Sequence, residues 1–254
     1  MRNLSPAVTG LLVVNAAIFG LGALVPQWDG RLANWFACWF PLHAHAGWWQ
    51  VVTYMFLHGS FAHILFNMFG LVSFGPLLER RWGAGRFLVF YFLCGIGAAL
   101  TQLGVEWIEY RSLHQRLLDA GVSAPAIEQM LRTGAYAARY DAPVRSLVDA
   151  LYRIHTSPMV GASGAIYGIL VAFGLTYPNA RLALLFVPVP VAAKYVIPIL
   201  LALDLFSGVT GFSLFGGGIA HFAHLGGALI GFVLMWYWRG RVRASSPFVE
   251  AGRG

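Results

Sequence analysis

Unbroken apolar runs, rather than alternating positions, set the pattern of this chain. Six of them, roughly 7–25, 51–78, 87–105, 161–177, 182–205 and 219–238, are long enough or nearly so to cross a hydrocarbon core of about 30 Å at ~1.5 Å per helical residue. Lipid satisfies no backbone hydrogen bonds and no run alternates like a barrel strand, so each is predicted to be a helix. The fourth run is about 25 Å long by this count, too short to reach the outer surface. Between the third and fourth runs lies a polar stretch, 106–158. Within it Val144, Leu147, Val148, Leu151 and Ile154 recur at helical spacing, behind Asp141 as a cap and Pro143 in the first turn. Ser123, Pro125, Ile127, Met130 and Leu131 mark a second short amphipathic helix. The pattern predicts an all-α polytopic membrane protein: one domain over 1–254, six helices with a short fourth, and a helical outer insertion at 106–158.

Composition agrees. Of 254 residues 58% are hydrophobic and only 11% charged, against about a quarter charged in soluble domains. Six spans put both termini on one side. That side carries ten Lys and Arg against two acids, including the basic tail at 239–254, while the other carries seven against eight with Asp204 among them. The positive-inside bias makes the termini cytoplasmic, and membrane topology accounts for the basic excess without a nucleic-acid partner. The first run reads as a retained span rather than a signal peptide. Cys38 and Cys94, both in apolar surroundings, suggest no disulfide framework. Trp28, Trp35, Phe36, Trp39, Phe40, Trp48 and Trp49 suit a first outer loop lying in the membrane interface. The glycine-rich loop 206–218 reads as a connector or a lid.

Polar residues inside spans are functional candidates. The second run carries His58, His63 and Asn67, the fourth Ser163 and Tyr167, and the last His221 and His224. Ser163, His224 and His63 lie 14, 14 and 15 residues from the expected cytoplasmic ends Tyr177, Trp238 and Leu78. All three therefore sit at one depth, roughly 7–9 Å below the outer surface. A serine, a histidine base, further donors and a helix N-terminus suited to a developing oxyanion are the parts of acyl transfer. No carboxylate is expected at this depth, so a Ser-His dyad fits better than a triad. His58, His63, His221 and His224 could bind a metal, but with no acid beside them and no His-Glu-x-x-His no metal or cofactor is expected. Gly164 and Gly168, and Gly227 and Gly231, read as positions of close helix approach.

His58-x-x-x-x-His63-x-x-x-Asn67, Gly161-Ala-Ser163-Gly164 with Tyr167, and Ala223-His224-Leu-Gly226-Gly227 with Gly231 together closely resemble the rhomboid family of intramembrane serine proteases. The resemblance implies a six-helix rhomboid-like bundle with Ser163 as nucleophile and His224 as general base and acid. His63, Asn67 and the Ser163 N–H would form the oxyanion hole, Tyr167 would stack on His224, and His58 would bond near the first outer loop. The substrate would be a transmembrane helix of another protein, unwound near its outer end and cut beside a small residue. The site would open to the outer side of what is expected to be a bacterial inner membrane. Two departures stand out: the family's Trp-Arg pair reads Trp49-Gln50, and the outer loop before Ser163 is longer than in compact members. A catalytically dead, client-binding relative is the rival reading, and the presence of both Ser163 and His224 speaks for the enzyme. A transporter would need internal repeats, which the chain lacks.

Overall fold

A computed structural model describes residues 5–135, 140–184, 187–212 and 219–244. The glycine run 216–218 of the possible lid and the basic tail beyond 244 lie outside the described residues. The first helix, α1 (Pro6–Leu24), begins with proline in its first turn and buries Ala7, Val8 and Leu11. Its free N–H groups are met by an anion: the buried Glu79 carboxylate accepts from the N–H of Ala7 and of Val8, both at 2.9 Å, and from the Ser5 hydroxyl.

The loop between the first two apolar runs folds as α2 (Pro26–Phe36), an irregular stretch and the short α3 (Gln50–Thr53). Gln50 holds this loop together. It is 1% exposed, donates to the His45 carbonyl at 2.7 Å and accepts the Gly47 N–H at 3.1 Å. The uncharged amide thus fills its own contacts where the family pattern has arginine.

The second apolar run is not one helix. After α3 and a 3₁₀ turn the chain breaks at Leu57–Ser60, and α4 (Phe61–Trp82) starts afresh, with Ser60 Oγ accepting the His63 N–H at 3.1 Å. His58 therefore lies in the break, not within a span. The third helix also departs from the expected bounds: α5 (Ala84–Asp119) runs 36 residues, about 54 Å and longer than a hydrocarbon core of about 30 Å. Tyr110, Leu113 and Leu117 give its second half an apolar stripe, and no glycine follows Gly104 until Gly121. With α6 (Ala124–Thr133) and α7 (Ala142–Thr156) that half builds a second core from Leu113, Leu117, Ile127, Met130, Val148 and Leu151. Asp141 Oδ1 caps α7 by accepting the Val144 N–H at 3.0 Å.

The central helix is α8 (Ser163–Thr176), with α4, α5, α9 (Ala193–Thr210) and α10 (His221–Ala244) around it. Its 14 residues span about 21 Å. By length and composition α1, α4, α5 and α9 can each cross a membrane, while α8 is apolar but shorter. The fifth apolar run divides in two. Two strands, β1 (Arg181–Leu184) and β2 (Val187–Ala192), pair antiparallel, and only then does α9 begin. Prolines at 188 and 190, alternating with valine, keep this stretch out of the helix. The fifth helix is displaced by about a dozen residues from the expected run, and α9 continues through residues 206–210 of the expected loop.

Candidate active site

Two chain segments fix the approach to Ser163. Cys38 and Met159 exchange backbone hydrogen bonds at 2.9 Å in each direction, and the Gly161 N–H donates to the Tyr54 carbonyl at 2.9 Å. Gly161 then turns the chain with φ +118°, in the left-handed region that favours glycine. A Cβ there would stand 2.5 Å from His63 Nε2 and 3.6 Å from Asn67 Nδ2. The imidazole and the amide from α4 therefore lie against the backbone that leads into α8.

Ser163 is the first residue of α8, so its hydroxyl stands beside N–H groups that have no intrahelical partner. His224 comes from the first turn of α10, where the Gln102 Oε1 of α5 accepts the Ala223 N–H at 3.2 Å. Its Nε2 is 2.8 Å from Ser163 Oγ. Tyr167, one turn below the serine, stacks on the imidazole with centroids 4.2 Å apart and planes 11° from parallel. Asn67 is 5% exposed, and its Nδ2 has no hydrogen-bond acceptor among the described residues. His58 packs edge-on against His63 at 5.0 Å.

Glycines make this geometry possible. A Cβ on Gly164 would overlap that of Ala98, and one on Gly227 would overlap the Gly164 carbonyl oxygen. One turn further down, a Cβ on Gly231 would lie 2.7 Å from the Gly168 Cα. The α8 and α10 backbones thus touch along two turns, which places the histidine of one within reach of the serine of the other.

The expectation that no carboxylate reaches this depth is overturned. Asp204 of α9 is 7% exposed and lies at the site, with Oδ1 3.0 Å from His224 Nδ1 and 2.6 Å from His221 Nδ1. Its Oδ2 accepts from the Tyr167 hydroxyl. Sequence reasoning misplaced Asp204 because it took the two strands for helix, which pushed the residue to the end of its span. A lone acid inside the apolar stretch Leu201–Leu205 was the available signal. Asp204, His221 and His224 also offer three ligand atoms within 4.8 Å of one another, so an acid does stand beside the histidines. Their separations of 2.6 and 3.0 Å are those of hydrogen bonds between the groups themselves.

The fold and site together define a polytopic helical membrane protein with a serine and a histidine paired inside the bundle. The profile described as Rhomboid domain matches residues 45–241, and the chain belongs to the rhomboid family. It is 26% identical to Rhomboid protein 1, mitochondrial, of Saccharomyces cerevisiae, over 91% of this chain and 52% of that protein. It is 26% identical to Rhomboid protease AarA of Providencia stuartii, over 76% of this chain and 56% of that one. It is 27% identical to the Presenilin-associated rhomboid-like protein, mitochondrial, of Mus musculus, over 91% of this chain and 47% of that one. The chain thus spans about half the length of these relatives.

Proposed function

We propose that this chain is an intramembrane serine endopeptidase that hydrolyses a peptide bond in or near the transmembrane helix of another membrane protein. The observation that carries the reading is the 2.8 Å contact between His224 Nε2 and Ser163 Oγ, at the N-terminus of a helix too short to reach the outer surface. Ser163 Oγ attacks the scissile carbonyl carbon while its proton passes to His224 Nε2. The oxyanion is met by the Ser163 N–H, the unpartnered Asn67 amide and the His63 imidazole. His224 then returns the proton to the leaving amine, and water, activated by the same imidazole, hydrolyses the acyl-enzyme. Neither a metal nor a cofactor enters these steps.

The substrate is a helix that unwinds near its outer end and presents a small residue beside the cut. The short α8 supports this, because a 14-residue helix of about 21 Å falls short of a hydrocarbon core of about 30 Å and leaves room above Ser163 for water and an extended segment. The charge distribution supports cytoplasmic termini and a site opening outward, as in a bacterial inner membrane. The test is labelling of purified protein in detergent with a serine-reactive phosphonate, alongside cleavage of a model transmembrane substrate. Both should be lost in Ser163→Ala, and cleavage should fall by several orders of magnitude in His224→Ala. Retention of both activities by either variant would sink the reading.

A further inference from the structure

We infer that Asp204 is the positioning residue of this site, so that nucleophile, base and orienting carboxylate come from three helices, α8, α10 and α9. The inference rests on the proposed serine-protease reading and extends it beyond a serine–histidine pair.

Neutral imidazole carries one proton, on either nitrogen. To accept the Ser163 proton, His224 must hold its own on Nδ1 and leave Nε2 bare. An ionised carboxylate can only accept, so Asp204 Oδ1, 3.0 Å from His224 Nδ1, favours that tautomer. When the Ser163 Oγ–C bond forms, the proton leaves Oγ for Nε2, and the Nδ1 proton stays where it was. When the C–N bond breaks, the proton leaves Nε2 for the departing amine. Asp204 ends each step as it began, ionised, having offset the positive charge of the transient imidazolium.

The carboxylate is itself held. From α10, His221 Nδ1 meets the same Oδ1 at 2.6 Å, and from α8 the Tyr167 hydroxyl donates to Oδ2. Among the described residues, Tyr167, His221 and His224 are the titratable groups that face Asp204 from the helices packed on α9. The stacking of Tyr167 on His224 at 4.2 Å closes the circuit, because one tyrosine fixes both the ring's plane and the acid that bonds its edge. A carboxylate retained only to join helices would not need to meet the edge of the imidazole that points away from the serine.

The test uses the full chain in detergent with a model transmembrane substrate. Asp204→Asn can present its amide N–H to Nδ1 and trap the other tautomer. We expect kcat to fall by about 100-fold or more with KM little changed, as for wrong-tautomer variants of serine proteases. The lower limb of the pH–rate profile should move with it, and Asp204→Glu should restore part of the rate. A helix-fastening role would leave the pH profile in place. If Asp204→Asn keeps kcat within about threefold and the same pH profile, while Ser163→Ala is inactive, the positioning role is overturned and the serine–histidine pair stands alone. If Ser163→Ala is active as well, the protease reading itself has failed. Should Asp204→Asn not fold, histidine ¹⁵N shifts of the unmodified protein decide. Nδ1–H on His224 supports the inference, and Nε2–H overturns it.

Discussion

Two parts of this molecule are assembled from helices by opposite means. In the bundle, α8 and α10 meet backbone to backbone, with Gly164 and Gly168 against Gly227 and Gly231. In the insertion, the outer half of α5 meets α6 and α7 through large side chains, Leu113, Leu117, Ile127, Met130, Val148 and Leu151. The surroundings explain the contrast. Lipid tails are as apolar as leucine, so helices in a bilayer gain little by burying large side chains and adhere through close contact of small residues. In water, removing apolar area is the main source of stability, and bulk is favoured. Rigid approach of two backbones also holds a serine and a histidine to a fixed distance, which rotamer-rich contacts do not.

Gly227→Ala breaks the first kind of contact most severely. The new methyl would overlap the Gly164 carbonyl oxygen, a backbone atom that cannot swing aside as a side chain can. The cost is expected at about 3 kcal/mol or more, the upper end of overpacking effects, read as a lowered midpoint of thermal unfolding in detergent. Because His224 lies one turn before Gly227, separation of the helices should also abolish phosphonate labelling of Ser163. Unchanged stability and labelling would mean that the helices are not in backbone contact.

Leu117→Ala is the matching change in the insertion. Leu117 is fully buried in the second core, and its truncation should cost about 2–5 kcal/mol of local stability. The readout is faster hydrogen exchange of the α6 and α7 amides, with Ser163 labelling retained. Loss of labelling as well would show that insertion and bundle unfold as one unit, and the comparison would lose its basis.

The same contrast decides what could be read in the sequence. Runs of apolar residues long enough to cross lipid are visible without context, and so the all-α membrane fold was legible. Glycine spacing was legible too, since Gly164/Gly168 and Gly227/Gly231 keep one helix face each. Helix ends were harder, because nothing in an apolar count marks where lipid stops. Residues 106–119 continue α5 on a stripe of Tyr110, Leu113 and Leu117. The valine–proline alternation at 187–191 extended an apolar run that the backbone divides into strand and helix. That error alone hid Asp204. The site's other side chains were recoverable because each recurs at helical spacing in a span of otherwise apolar residues.

The smallest expected effect lies where the two parts meet. His43 of the first outer loop stacks on Trp39 at 4.0 Å and meets His155 of α7 edge-on at 5.2 Å. Partial burial, with His155 and His45 nearby, holds the His43 imidazole below its ordinary range, and burial does the same to His155. Both groups therefore bind a proton less readily folded than unfolded. Between the folded value and the unfolded value of about 6.5 the unfolded state holds more protons, so stability rises with pH there. The contribution is complete above the unfolded value and is lost as pH falls through it. Acid should thus loosen the docking of α7 on the first loop while leaving the glycine contacts of α8 and α10 untouched. The reporters are the Cys38 and Met159 amides, which bond each other beside this junction. After correction for intrinsic rates, their exchange should quicken between about pH 7.5 and about pH 5.5, and a His43→Gln, His155→Gln double variant should flatten the change. Equal acceleration in the Gly227 region would show that protonation loosens the whole molecule rather than the seam between its two kinds of packing.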